Sequence, residues 1–225
     1  MVADSRPVLP AAVLWDMDGT LVETEPLWIE AEEALVNRYG GTWARVDTQE
    51  LIGNNLIDSG RHLRDQGGVD LEPEAIIELL LDDVTEMIRH EVPWRPGALE
   101  LLGDLRRSGV RCGLVTMSYR RFVQPVLDAL PEGSFEAVVT GDAVSRGKPH
   151  PEPYLAAARL LRVEPTATVA IEDSNTGTRS AETAGCRVLV VPNHVPIPPG
   201  PRRVFAHTLE GMDAAALARL TATVT

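Results

Sequence analysis

The chain has 225 residues and a formal net charge of −12, with 33 acidic side chains against 21 basic ones. Nucleic acid and anionic bilayers select clustered Lys and Arg, so this balance argues against both as partners, and an anionic ligand must be met by a locally built positive field. The length suits one α/β core plus an inserted module.

Val13-Leu14-Trp15 reads as a strand buried on both faces, and it ends abruptly in Asp16-Met17-Asp18-Gly19-Thr20. From Leu21 to about Val92 the pattern turns to amphipathic helices. Pro26 suits a first helical turn, after which Leu27, Trp28, Ala31, Ala34, Leu35 and Arg38 or Tyr39 recur at three-to-four spacing. Ile76, Ile77, Leu80, Leu81, Val84, Met87 and Ile88 repeat the pattern, with Glu72, Glu74, Glu78, Asp82, Asp83 and Glu86 opposite. Both helices are expected to bury one face and leave solvated acids on the other, with no metal spacing among them.

After Pro93-Trp94-Arg95-Pro96-Gly97 helices and strands alternate. Helices are predicted over Ala98 to Arg107, Tyr119 to Leu130, Pro153 to Leu161 and Gly177 to Ala184, the last closed by Gly185. Strands are predicted over Val110 to Thr116, Phe135 to Val139, Thr168 to Ile171 and Val188 to Val191. Such alternation implies right-handed crossovers and a parallel sheet covered on both faces. The expected division is a core of residues 1–22 and 93–225 with a helical cap of residues 23–92. Pro192 to Pro201 reads as a surface loop.

Cys112 and Cys186 belong to no Cys-x-x-Cys or Cys/His pattern and read as small buried apolar groups. Met1 to Pro7 lacks the apolar stretch of a signal peptide, and no run is long enough to span a bilayer. We expect a cytoplasmic monomer.

The chemistry-bearing residues fall at successive strand ends, which a parallel sheet brings to one rim. Asp16 can attack phosphorus while Asp18 moves protons, and Gly19 lets the backbone bend so that N–H groups face phosphate oxygens. Thr116 ends the next strand with a hydroxyl that can donate to a phosphate oxygen. Lys148, beside Pro149 and Pro151, can hold a fixed positive charge over carboxylate and phosphate. Glu172 and Asp173 form a second acidic pair after a strand, suited to a hard ion such as Mg²⁺.

Asp16-x-Asp18-Gly19-Thr20, Thr116, Lys148-Pro149 and Glu172-Asp173 resemble, in order and spacing, the four motifs of the haloacid dehalogenase (HAD) superfamily. The run Ile171-Glu172-Asp173-Ser174-Asn175-Thr176-Gly177, continuing to Ala184-Gly185, resembles its β-phosphoglucomutase-like and phosphoglycolate-phosphatase-like branch. The resemblance implies an α/β fold, a Rossmann-like parallel sheet core with an inserted α-helical cap. It implies Asp16 as nucleophile forming an aspartyl-phosphate and Asp18 as general acid and base. Thr116 and Lys148 would bind phosphate. Mg²⁺ would be held by Asp16, the Asp18 carbonyl oxygen and Asp173, with Glu172 as a direct or outer partner.

A dehalogenase would need neither the metal-binding acids nor Asp18. A phosphomutase of this branch carries cap cations where this chain has Ile52 and Leu56, and a linker histidine where it has Trp28, so the second phosphate of a mutase loses its anchors. The expectation is therefore a Mg²⁺-dependent phosphatase acting on a small phosphate monoester, a sugar phosphate by analogy with the branch. A phosphomutase is the alternative, and a non-catalytic phosphate-binding regulator a further one. Glu25, Trp28, Asn54, Asn55 and Arg61 are the candidate substrate contacts, although Trp28 equally fits the buried stripe of its helix.

Overall fold

The structure, a computed structural model, describes residues 7–43 and 56–224. Its strands are β1 (Ala12–Trp15), β2 (Arg111–Val115), β3 (Ala137–Val139), β4 (Thr168–Glu172), β5 (Arg187–Val190) and β6 (Arg203–Phe205). They form one all-parallel sheet in the order β3-β2-β1-β4-β5-β6. Every residue of β1 and β4 is buried, as strands covered on both faces require. Trp15 pairs with Leu114 on one side and with Ile171 on the other. This register places Asp16, Thr116 and Glu172 together at the carboxyl rim, where the strand order reverses and ligands of open α/β sheets bind.

The described residues include eight α-helices: α1 (Glu25–Arg38), α2 (Leu56–Asp65), α3 (Pro73–His90), α4 (Ala98–Arg107), α5 (Arg120–Asp128), α6 (Glu152–Leu160), α7 (Asn175–Ala184) and α8 (Ala214–Thr221). The fold is a Rossmann-like α/β core interrupted by helices. The described residues divide into two compact units. One holds the sheet and runs up to Glu23, over Trp94–Val123 and from Leu127 onward; the other is Thr24–Pro93 with Gln124–Val126. Within the sheet unit, Leu14, Val115, Ala137, Tyr154, Ala157, Leu161, Ala170 and Val188 belong to one buried cluster. Burying a Leu or Val side chain such as Leu14 or Val188 contributes about 1.5–3 kcal/mol.

Three elements escape the periodicity reading. Helix α2 buries only Ser59, Gly60 and Leu63, which is too few apolar positions for a helical stripe. Strand β6 has three residues, of which only Val204 is buried. Helix α8 is alanine-rich and is started by Asp213, whose side chain accepts from the Ala216 N–H at 2.6 Å.

Helix α1 corrects its expected stripe. Ala34 is exposed and Tyr39 is 39% accessible, whereas Val36 and the acid Glu32 are buried beside Ala31 and Leu35. Glu32 therefore departs from the expectation that the acids of these helices are solvated. Both cysteines are buried. No helix among the described residues is long and apolar enough to cross a membrane.

Candidate active site

Asp16 follows β1 directly, and its N–H continues the sheet by donating to Ile171 O at 3.0 Å. Its side chain is buried. Lys148 comes from 132 residues further on and donates from Nζ to Asp16 Oδ1 at 2.6 Å, to Glu172 Oε1 at 2.7 Å and to Val115 O at 2.9 Å. The Lys148 side chain is 5% accessible. Burial opposes its charge, yet Asp16 and Glu172 outweigh that cost and push the Lys148 pKa up, so the group stays cationic.

The turn after Asp16 is built by main-chain hydrogen bonds. The N–H groups of Thr20, Leu21 and Val22 all point to Met17 O, and Gly19 N–H donates to Val22 O at 2.8 Å. Gly19 has a φ of 81°, and a Cβ there would overlap the Asp173 carboxylate, so glycine is required on two counts. On the opposite side of the turn, Thr116 Oγ1 and Ser118 Oγ donate to Asp18 Oδ2 at 3.1 and 2.8 Å. The Thr116 hydroxyl is given to Asp18 and in turn accepts from Ser118 N–H at 3.0 Å.

Glu172 is the last residue of β4 and is fully buried. Besides Lys148, its Oε1 accepts from Tyr154 Oη at 2.6 Å and its Oε2 from Ser174 Oγ at 3.0 Å. Ser174 also caps α7 by accepting from Gly177 N–H at 3.0 Å. A Cβ on Gly177 would collide with the Glu172 carboxylate, which thus lies directly over the start of α7, where the helix dipole favours negative charge. Asp173 points elsewhere and meets Thr20 Oγ1 at 3.5 Å.

Asp16, Glu172 and Asp173 each bring a carboxylate oxygen within 4.8 Å of the others. Burial first, then the charges of Asp16 and Glu172, hold the Asp173 carboxyl far above the usual range; burial and the neighbouring acids likewise raise Asp16 against the pull of Lys148. One ammonium cannot balance this many carboxylates, and an all-oxygen set suits a hard divalent cation placed among them. The residues present fit such an ion.

Asp16, Asp18, Thr116, Lys148, Glu172 and Asp173 are thus gathered within the sheet unit. Glu25 and Trp28 belong to the helical unit, where both are partly buried on α1. Arg61 is exposed and pairs with Asp58 at 2.8 Å. Asn54 and Asn55 lie outside the described residues, as does Ile52. The sequence reading passed over Ser118, Tyr154, Ser174 and Gly177. Ser174, three residues before Gly177 at a helix start, carried a capping signal; Tyr154 carried none, because its hydroxyl finds Glu172 only through the packing of α6 on the sheet.

The model of the family described as haloacid dehalogenase-like hydrolase matches residues 13–191. Among curated proteins, the chain is 34% identical over 195 residues to protein CbbY of Cereibacter sphaeroides, covering 80% of this chain and 84% of the relative. It is 29% identical over 193 residues to hexitol phosphatase B of Escherichia coli (strain K12), covering 84% and 86%. Among solved structures, CbbY from Rhodobacter sphaeroides in complex with phosphate superposes with a TM-score of 0.80 at 30% identity, over 93% of this chain and 99% of that one. A mutant of that CbbY in complex with xylulose-(1,5)bisphosphate gives a TM-score of 0.80 at 28% identity and the same coverage. The match to the family model takes in every residue assembled at the rim, from Asp16 to Asp173, and the chain belongs to the haloacid dehalogenase-like hydrolase family.

Proposed function

We propose that this chain is a Mg²⁺-dependent phosphatase that hydrolyses a small phosphate monoester, a sugar phosphate, through an aspartyl-phosphate on Asp16. The observation that carries this reading is the pair of carboxylates with different partners. Asp16 is held by an ammonium, and Asp18 is held by two hydroxyls. Lys148 favours the ionised form that a nucleophile needs, against the burial that opposes it. Asp18, two residues on, accepts both hydroxyl hydrogen bonds at Oδ2 and is the proton carrier of this reading.

In the first step the Asp16 carboxylate oxygen bonds to phosphorus, the bond to the leaving oxygen breaks, and Asp18 protonates that oxygen. Asp18, now ionised, takes a proton from water as the water oxygen attacks phosphorus and the Asp16 oxygen leaves. Lys148 stays cationic throughout and faces the equatorial charge, and the Thr116 hydroxyl would serve a phosphoryl oxygen by turning its proton away from Asp18. Asp16, the Asp18 carbonyl and Asp173 would hold Mg²⁺, with Glu172 as a direct or outer partner. When bound, the ion neutralises charge on the transferring phosphoryl group.

The similarity to hexitol phosphatase B and to the phosphorylated carbohydrates phosphatase of Thermotoga maritima, 30% identical over 184 residues, supports a phosphorylated sugar or sugar alcohol as substrate. A phosphomutase would need a second cationic anchor, and Leu56 supplies none at its position.

Release of phosphate from p-nitrophenyl phosphate with Mg²⁺, abolished by EDTA and absent in Asp16→Asn, tests the reading, and a panel of hexose, hexitol and glycolate monophosphates ranks the substrates. Turnover retained by Asp16→Asn would sink it. Faster formation of glucose 6-phosphate than of inorganic phosphate from β-glucose 1-phosphate would restore the mutase.

A further inference from the structure

One charged cluster beside the site has no part in the chemistry above. The Glu23 carboxylate accepts at Oε2 from Arg95 Nη1 at 2.6 Å and from Asn193 Nδ2 at 2.9 Å, and His194 Nε2 lies 3.2 Å from Oε1. Arg95 Nη1 also donates to Asn193 Oδ1 at 3.1 Å, which closes the ring of contacts. The Arg95 and Glu23 side chains are only 21% and 23% accessible. Three donors from two distant segments therefore converge on one acid.

The main chain next to Glu23 leads straight to Asp18. Val22 forms an isolated parallel bridge with Asp18 and an antiparallel bridge with Trp94, and Arg95 N–H donates to Leu21 O at 3.0 Å. The Asn193 amide nitrogen lies 3.2 Å from where a Cβ on Gly19 would stand, so it lies against the same turn. Glu23 and Arg95 are the last residue and the second residue of the sheet unit's segments that end at Glu23 and begin at Trp94.

We propose that Glu23 is a positioning residue for Asp18: its carboxylate ties Arg95, Asn193 and His194 together and thereby pins Val22, on which the turn carrying Asp18 closes. Asp18 must reach first the leaving oxygen and then a water with the same carboxyl group. A displacement of about 1 Å in such a group costs on the order of 10²-fold in rate. The inference rests on the phosphatase reading for its kinetic consequence and on geometry alone for its structural one.

Glu23→Gln, which loses the charge but keeps the shape, tests it in two ways. The variant should lose about tenfold or more in kcat/KM with an alkyl phosphate, whose leaving oxygen needs the Asp18 proton, and less than about threefold with p-nitrophenyl phosphate, which hardly needs it. Amide hydrogen exchange at Gly19 and Val22 should accelerate about tenfold while Leu114 and Ile171 keep their protection. Asn193→Ala, which leaves the Glu23–Arg95 pair intact, should move both readouts in the same direction by less, and it serves where Glu23→Gln fails to fold. Equal loss for the two esters with unchanged exchange at Gly19 and Val22 would overturn the proposal. If the wild-type chain releases phosphate from neither ester, the phosphatase reading falls and exchange alone decides whether Glu23 anchors the turn.

Discussion

Lys148 Nζ lies 2.6 Å from Asp16 Oδ1 and 2.7 Å from Glu172 Oε1, so one ammonium bridges the proposed nucleophile and the acid at the end of the neighbouring strand. Removing one member of a buried ionic set leaves the others uncompensated, at a cost of about 3–5 kcal/mol. Lys148→Met should accordingly lower the thermal midpoint in metal-free buffer and reduce kcat by at least about 10²-fold. Calorimetry with and without Mg²⁺ checks it; an unchanged midpoint would show that the bridge is energetically idle.

Glu172 and Asp173 should separate under truncation because their surroundings differ. Glu172 is held by Lys148, Tyr154 and Ser174, so Glu172→Ala strips three donors of their acceptor and should destabilise the fold. Asp173 has one long contact and an acid-crowded carboxyl, so Asp173→Ala should leave the metal-free fold as stable or more so while raising the Mg²⁺ concentration needed for activity about tenfold or more. Superimposable Mg²⁺ titrations of the two variants would contradict this division.

Gly177→Ala adds one methyl group where the Glu172 carboxylate stands. Glu172 is fully buried and triply held and has no room to retreat, so the helix start must shift instead. The expected result is destabilisation of about 1–3 kcal/mol with loss of activity, measured by urea unfolding and phosphate release. A variant as stable and active as wild type would mean that the start of α7 yields to the added methyl group without cost.

Glu32 offers a pH test independent of the rim. Burial, then the like charges of Glu25 and Glu33, push its pKa from about 4.5 up to about 8. Between those values the folded chain holds a proton that the unfolded chain has released. The stability contributed by neutral Glu32 is complete below pH 4.5, falls as pH rises toward 8, and is gone above it. Glu32→Gln, which cannot ionise, should match wild type near pH 4.5 and exceed it by roughly 2–4 kcal/mol near pH 8.5. A stability difference that does not change with pH would refute the buried-acid assignment.

How much could be read before folding follows from the range of each interaction. Asp16, Asp18, Thr116, Glu172 and Asp173 were legible because an apolar run that stops in polar residues marks a strand end, and parallel strands bring their ends to one rim whatever the details. Helices α1 and α3 showed through their spacing for the same local reason. Contacts made across the sheet carry no local trace. The hold of Tyr154 on Glu172, the pairing of Ser118 with Asp18 over 100 residues and the gathering of Arg95, Asn193 and His194 on Glu23 exist only once the strands are in register. Glu32 shows the limit most sharply, since charge alone assigns it to solvent and only the packing of its helix buries it. The sequence by itself determined which residue types reach the rim; the tertiary structure decided which of them hold one another, because hydrogen bonds and ion pairs depend on distances that chain spacing does not set.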